Sequence, residues 1–511
     1  MWNSILTTLW EQKCILGFLV VAYWGCWILY ALTLHPYAKY PGPFLASFSR
    51  LWIVIEILRG HAHKTQADLH EKYGSIIRIA PNEVSISDPA SIKEIYSVTS
   101  GFTKTDFYIP WRPTFSRFPD HFSSMDEKLH SQRRKIVNGL YSMSSIVKSE
   151  PVIDTCTELF MTRMGEYAEQ GQIVDLATWV QWYAFDVIGA LYFTSMFGFM
   201  REKRDYKDYI KSLNVLLPTL CAASVMPSYI RAFFLSLGQL FTSVRRSLAA
   251  LQNIEEASAL CVKERLWSDG EGNYATEDIL SKMLSIHKDK GDVQNFNMAD
   301  IQVEVYTGLF AGSDTTAAAL SSILFHLMKS PAAYERLTGE IDEATATGKL
   351  SYPRVKYPEA SKLPYLVACC KEGMRMHPSV GLTLPRVVPA EGRQIAGQWF
   401  PGGLRVGMNA AIVHFDKGIF GEDADVYNPD RWFREDASQM DRHMFQFGGG
   451  SRTCIGKNIS LCEIYKIIPE LLRSYRITLT NPEGAFRTIN HWFNKPLPME
   501  VRIQFRTVAG H

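Results

Sequence analysis

The strongest constraint in this chain is the stretch Phe447-Gly448-Gly449-Gly450-Ser451-Arg452-Thr453-Cys454-Ile455-Gly456. It sets one cysteine at the end of a glycine-rich loop and at the start of an apolar, helix-like run from Ile455 to Leu472. A helix N-terminus offers unpaired N–H groups and the positive end of a dipole. Cys454 is therefore expected to have a lowered pKa and to act as a thiolate. Three consecutive glycines carry no Cβ, so the backbone can lie close to something flat and bulky. Arg452 is a fixed cation two residues before the sulfur, suited to a carboxylate.

A thiolate, a flat ligand and an anion partner together suggest haem held by cysteine through its iron. Phe447, Gly450, Arg452, Cys454 and Gly456 fill every fixed position of an F-x-x-G-x-R-x-C-x-G loop. In this the chain resembles the cytochrome P-450 superfamily. The resemblance implies a mainly α fold with small β-sheets and haem b (iron protoporphyrin IX) as cofactor. It implies Cys454 as the axial ligand of the iron, with Phe447, Gly448, Arg452 and Gly456 around the haem.

The 511 residues are 47% hydrophobic, enough for one large catalytic unit or two domains. A formal net charge of +2 gives no electrostatic reason to expect a nucleic-acid partner. The nine cysteines are scattered, with no CxxC pair and no Cys/His zinc spacing. A reduced, cytosol-facing body fits them better than a disulfide framework.

Cys14 to Leu34 is an uncharged run of 21 residues, long enough to span a bilayer. Trp10 before it and Tyr37 and Tyr40 after it suit the two interfaces. The run is longer than a signal-peptide core and ends in bulky residues and Pro36 rather than a small-residue cleavage site. Glu11 and Lys13 cancel before it, whereas Lys39, Arg50 and Arg59 follow, which puts the body on the cytosolic side. His35 to Pro43 reads as a stiff, extended connector. The expected organisation is a tail (1–13), a transmembrane anchor (14–34), a proline-rich connector (35–45) and one haem-thiolate catalytic domain (46–511). An anchor followed by prolines also resembles the microsomal members of the superfamily, which implies the endoplasmic reticulum membrane.

His61 to Tyr73 looks helical, and residues 75–80 and 83–87 alternate as two strands about a Pro81-Asn82 turn. Phe102 to Phe122 is rich in rings but broken by three prolines. By resemblance it roofs the substrate pocket, with Phe107, Trp111, Phe115 and Phe118 as pocket candidates. Asp126 to Leu140 reads as a helix with His130 and Arg134 four apart on one face. The resemblance makes Arg134 a haem-propionate partner, with His130 where many members carry tryptophan. Arg133, Arg134 and Lys135 otherwise read as a solvated basic face. Ser212 to Ile230 is uncharged but holds Pro218 and Pro227, and reads either as a bilayer-facing region or as a buried helical hairpin.

Ala299 to Lys329 is a long apolar helix pattern interrupted at Ala311-Gly312-Ser313-Asp314-Thr315-Thr316. Small residues at 311 and 312 let a ligand approach, and a mid-helix threonine can bond a preceding carbonyl and bend the helix. The segment matches the superfamily's (A/G)-G-x-(D/E)-T-T motif, which implies that Thr315 orients dioxygen and Asp314 connects it to a proton supply. Glu372 and Arg375 share one face of a helix over Tyr365 to Met376. They match the superfamily's E-x-x-R helix, and Arg431 of Asn428-Pro429-Asp430-Arg431-Trp432 matches the partner arginine of a buried ionic network. Ser379 to Arg386 reads as an extended apolar strand. The resemblance places Val380 and Leu382 on the substrate side and makes Arg386 a second propionate candidate. Trp492, in Ile489-Asn490-His491-Trp492-Phe493, corresponds to the turn that closes the pocket from the far side.

With no GxGxxG after a strand and no flavin domain in the chain, electrons must come from elsewhere. The family implies O2 as co-substrate and NADPH as electron source through a membrane-bound reductase, which Lys457 and Arg133 could steer. The expected reaction is hydroxylation, demethylation or epoxidation of a lipophilic small molecule. RIAPNEVSISDP, GLTLPRVVPA and FQFGGGSRTCIGKNISLCEIYKIIPELLR are similar to fungal pisatin demethylase-like members, which suggests a fungal secondary metabolite. Two other readings keep the haem: an isomerase or dehydratase that needs no external electrons, and a non-catalytic sensor.

Overall fold

The computed structural model describes residues 2–269 and 278–506, with backbone alone at 2–12 and 267–269. Trp10 and Glu11 fall in the backbone-only part, and residues 507–511 of the expected catalytic domain lie outside the described residues.

The N-terminal helix Trp2–Thr33 contains an apolar span, Lys13–Thr33, that is long enough to cross a membrane. Its side chains point outward, with Phe18 and Val21 more than two-thirds exposed. Its C-terminal end is tied to the body: Trp27 Nε1 donates to the Phe48 carbonyl and Arg78 Nη1 to the Ala31 carbonyl, both at 2.8 Å. The connector was expected to run extended, but it turns back on itself. Tyr37 and Tyr40 are buried and pack on Phe400, because two aromatic rings gain more from the core than from solvent.

Among the described residues the larger sheet has five strands. Ile76–Ala80 and Glu83–Ile86 form an antiparallel hairpin, as the alternation predicts. Arg405–Gly407 then runs parallel to the second of these, followed by Arg386–Val387 and Thr103–Lys104. Only Arg386–Val387 of the expected strand at 379–386 is regular; upstream, Val380 makes a single bridge to Phe493.

Helices form the rest of the body. The long helix Met298–Lys329 starts at a capping box of Asn297 and Asp300 and packs along Leu176–Phe193. It is unbroken through 311–316, where an interruption was expected. Its threonines do bond back as the sequence suggests: Thr315 Oγ1 donates to the Ala311 carbonyl (2.9 Å) and Thr316 Oγ1 to that of Gly312 (3.0 Å).

Of the two readings of residues 212–230, burial holds for most of the segment. Helix Tyr209–Val225 packs on Thr242–Asp269 and is largely buried. The exposed apolar surface begins just beyond it, with Tyr229, Phe233, Leu240 and Phe241.

Candidate active site

Cys454 ends a short 3₁₀ turn, Gly450–Arg452, and precedes helix Lys457–Ser474. Its N–H donates to the Phe447 carbonyl at 2.9 Å, which closes the loop. Gly448 and Gly450 both adopt left-handed φ, +69° and +59°. At Gly450 the tightest constraint comes from the protein itself, since a Cβ there would sit 1.9 Å from the Tyr96 carbonyl oxygen. At Gly448 a Cβ would meet only the Arg452 carbonyl oxygen, at an ordinary 3.8 Å.

Outside the N-terminal helix, Cys454 is the single exposed cysteine. The N–H groups of Gly456 and Lys457 and the Arg134 guanidinium favour its thiolate, as the helix-start argument requires. Burial outweighs them, however, and the free thiol is pushed up rather than down. The residue is accessible at its surface yet surrounded by protein, so a thiolate there needs a further positive centre.

Lys104, Arg386, His130 and Arg452 crowd the neighbouring wall. Lys104 is buried, donates to the Phe122 carbonyl and lies over the Tyr108 ring at 4.2 Å. Burial pushes its ammonium well down, and Arg386 and Arg452 push it further. Arg386 is buried and donates to Tyr108 Oη at 3.1 Å. His130 is buried with neither ring nitrogen hydrogen-bonded. Burial, then Arg452, His121, Lys104 and Arg134, lowers it to about 2. Two acids counter these charges. Glu127 holds Arg452 in a bidentate pair (2.8 and 3.0 Å), and Asp120 accepts from Ser123 and from Thr307.

Neither acid hydrogen-bonds Lys104, Arg386 or His130. Burial holds Lys104 and His130 toward their neutral forms, so among the described residues the wall keeps one cation without a carboxylate partner, Arg386, beside a lysine that an incoming anion would charge. Among the described residues no cluster of three His, Cys, Asp or Glu side chains could hold a metal ion. One accessible sulfur beside a cationic wall fits a metal that arrives inside a flat, dianionic macrocycle. Lys104 and Tyr108 carry no motif, and only the fold brings them to Arg386. Arg134 sits beside Cys454 and donates to the Ser451 carbonyl at 3.2 Å. Arg133 is not part of a solvated face: it pairs with Asp300 at 2.9 Å and packs over Phe118 and Phe296. Lys457 is exposed.

Thr315 and Ala311 lie one turn apart on the long helix, and Ala311 is exposed. Ser379 Oγ donates to the Thr315 carbonyl at 2.6 Å. Asp314 is buried on an adjacent face. One carboxylate oxygen accepts from Gln181 Nε2 and lies 3.7 Å from Lys495 Nζ, while the other has no partner. Asp314 lines a cavity of about 650 Å³ together with Gln181, Asn214, Phe493 and Lys495, but without Cys454 or Thr315. Adjacent in sequence, the acid and the alcohol therefore address different spaces.

Phe107 and Trp111 are buried, Phe115 packs on Tyr306, and Trp111 contacts Phe310 and Trp492. Phe118 stacks instead with Arg117 and Arg133, away from these rings. Leu382 is buried and Val380 half-buried.

Behind the loop, Glu372, Arg375 and Arg431 are fully buried. Glu372 accepts from Arg375 Nε (2.9 Å) and Nη2 (2.8 Å), from Arg431 Nε (2.8 Å), from Trp432 Nε1 (3.0 Å) and from the Asn428 N–H (3.0 Å). His414 links this network to the cysteine loop. Its Nε2 accepts from the Phe445 N–H at 2.7 Å, so its Nδ1 carries the proton and donates to the Arg375 carbonyl at 3.2 Å. Burial, then Arg375, lowers His414 to about 3, and burial lowers His377 to about 4.

Both folded-state values lie below the unfolded value of about 6.5. As pH falls through 6.5, the unfolded chain takes up protons that the folded one refuses. Thermal stability should therefore decline from about pH 6.5 to about pH 4 and show no further loss from these groups below about pH 3. A melting temperature unchanged from pH 7 to pH 4.5 would contradict this.

A family model for cytochrome P450 matches residues 41–502. The chain is 40% identical over 491 residues to the cytochrome P450 monooxygenase gsfF of Penicillium aethiopicum, covering 95% of this chain and 97% of that one. It is 34% identical over 473 residues to the cytochrome P450 monooxygenase cicH of Emericella nidulans, covering 91% and 93%. It is 33% identical over 479 residues to a pisatin demethylase of Fusarium vanettenii, covering 93% and 90%.

Proposed function

This chain belongs to the cytochrome P450 family, a haem-dependent monooxygenase that uses O2 and electrons from NAD(P)H through a reductase, and we propose that it oxygenates a lipophilic fungal secondary metabolite with Cys454 as the iron ligand. The observation that carries the assignment is one accessible sulfur beside a wall that holds Arg386 without a carboxylate partner and a buried Lys104 that an anion would charge. Haem held there supplies a thiolate-bound iron whose electron density favours O–O cleavage.

In this reading Arg386, Lys104 and Arg452 hold the two propionates, with Arg134 and His130 beside them. Phe447, Gly448 and Gly456 shape the loop that presents the sulfur. Gly456 and Lys457 aim their N–H groups at it and temper its charge. Thr315 offers a hydroxyl on the exposed side of the long helix. Asp314, held by Gln181 and Lys495, exchanges protons with the 650 Å³ cavity on its own face of the helix. Thr315→Ala and Asp314→Asn should each keep full haem content but lower product formation on the order of 10²-fold, the usual worth of one positioned acid–base group. Quantifying product per NADPH consumed checks this; a variant with wild-type coupling would remove that residue from the reaction.

The chain would sit in the endoplasmic reticulum membrane by its N-terminal helix, the body facing the cytosol. Exposed Tyr229, Phe233, Leu240 and Phe241 extend the apolar contact. Arg50 pairs with Glu83 at 2.6 Å and Arg59 with Glu56 at 2.8 Å, so of the three cations Lys39 carries most of the positive bias after the span. An NADPH-dependent reductase would dock near exposed Lys457; Arg133, bound to Asp300, takes no part. Expression of the full chain with a fungal reductase, followed by metabolite profiling against a reductase-free control, tests the reading. Product that forms equally without reductase would support an electron-independent reaction instead.

A further inference from the structure

Trp492 occupies the tip of the hairpin Thr488–His491 and Phe493–Pro496, between the paired His491 and Phe493. Its φ is +86°, a left-handed value that a bulky residue adopts only under constraint. The constraint is visible on both sides of the tip. The Asn490 N–H donates to the Gly60 carbonyl at 2.8 Å, and the Gly381 N–H donates to the Trp492 carbonyl at 3.2 Å. His491 Nδ1 meets the Ile57 carbonyl at 2.8 Å. Glycine would relieve the strain, yet the position holds the largest side chain there is.

That indole lies against Phe107, Trp111 and Phe122, with ring centroids 5.3–5.4 Å apart. Trp111 also meets Phe310, which precedes Ala311 on the long helix. None of the Trp492 contacts is parallel; the planes cross at 36° to 87°, Tyr108 included. Broad aromatic faces are thus collected without being stacked on one another. Within this group the Trp111 indole N–H is buried and has no hydrogen-bond partner. A buried indole N–H normally finds an acceptor, and one left without costs about 1–3 kcal/mol.

We propose that the substrate is a flat aromatic molecule bearing a carbonyl, ether or phenolic oxygen, which accepts the Trp111 N–H while its rings lie against Trp492. This rests on the monooxygenase reading of the same pocket and narrows its substrate class. Saturated, globular lipophiles should bind more weakly by the same logic, since they do not match the ring faces.

The test uses full-length, haem-loaded enzyme titrated with three probes, followed by haem absorbance and tryptophan fluorescence. 9-Fluorenone has the rings and the acceptor, fluorene has the rings alone, and perhydrofluorenone has the acceptor on a saturated frame. The wild type should bind fluorenone roughly ten-fold tighter than either of the others, as one net hydrogen bond or one set of ring contacts would give. Trp111→Phe keeps a ring and removes the donor. It should bind fluorenone and fluorene equally, with unchanged haem content and an unchanged spectrum of the reduced, carbon monoxide-bound form. Equal binding of fluorenone and fluorene by the wild type, a preference that survives Trp111→Phe, or tighter binding of the saturated ketone would each overturn the proposal. An abnormal carbon monoxide spectrum in the wild type would instead sink the haem-thiolate reading beneath it.

Discussion

Cys454→Ala is expected to abolish the thiolate signature in the spectrum of the reduced, carbon monoxide-bound protein and to reduce product formation below detection. No other cysteine can take over. Cys14 and Cys26 lie on the N-terminal helix, Cys261 is half-buried, and the remaining five are buried. Burial pushes Cys454 up even though two N–H groups and Arg134 oppose it, so the sulfur is not a thiolate waiting for any electrophile. It becomes one when a metal ion shares its charge, which ties its ionisation to haem loading. Cys454→Ser should bind less haem and show no thiolate spectrum, because an alcohol is a far weaker anion. Retention of the wild-type spectrum by either variant would move the iron to another ligand.

The cysteine loop was legible because its chemistry is local: glycines, a cation and a sulfur within ten residues. The long helix and the Glu372–Arg375 pair were legible for the same reason, since helical spacing alone puts each set on one face. What escaped was decided by partners far apart in the chain. Arg452 reads as a free cation until the fold brings Glu127 to it, and Arg133 reads as surface until Asp300 arrives. Lys104 belongs to no motif, and its meaning comes from Arg386 lying across the sheet, paired with it in register. Asp314 and Thr315 are neighbours in sequence, but about 100° of helical turn separates neighbours, so Asp314 lines the 650 Å³ cavity and Thr315 does not. The lowered pKa expected for Cys454 failed because a dipole argument counts local N–H groups and cannot count the desolvation imposed by the rest of the protein.

Glu372→Ala should leave the protein unable to retain haem, rather than merely slow. In the wild type this one carboxylate accepts five hydrogen bonds from Arg375, Arg431, Trp432 and Asn428. Removing it leaves fully buried Arg375 without a counter-charge and Arg431 with Asp423 alone (3.1 Å), a loss of roughly 3–5 kcal/mol. Each arginine keeps some backbone acceptors: Arg375 reaches the carbonyls of His414 and Ala424, and Arg431 those of Asp423 and Val426. Carbonyl dipoles cannot neutralise the Arg375 cation, and Asp423 serves Arg431 alone, so the helix Pro364–Met376 and the segment around Arg431 should separate. The Arg375 carbonyl holds His414, and His414 holds the Phe445 N–H at the root of the cysteine loop. The displacement is thereby delivered to Cys454. Glu372→Gln keeps the shape and one acceptor oxygen, and should lose less haem than Glu372→Ala while melting lower than the wild type. Haem-to-protein ratio and melting temperature, measured on the same preparations, separate the two effects. A folded Glu372→Ala protein with full haem content would show that the network does not support the loop.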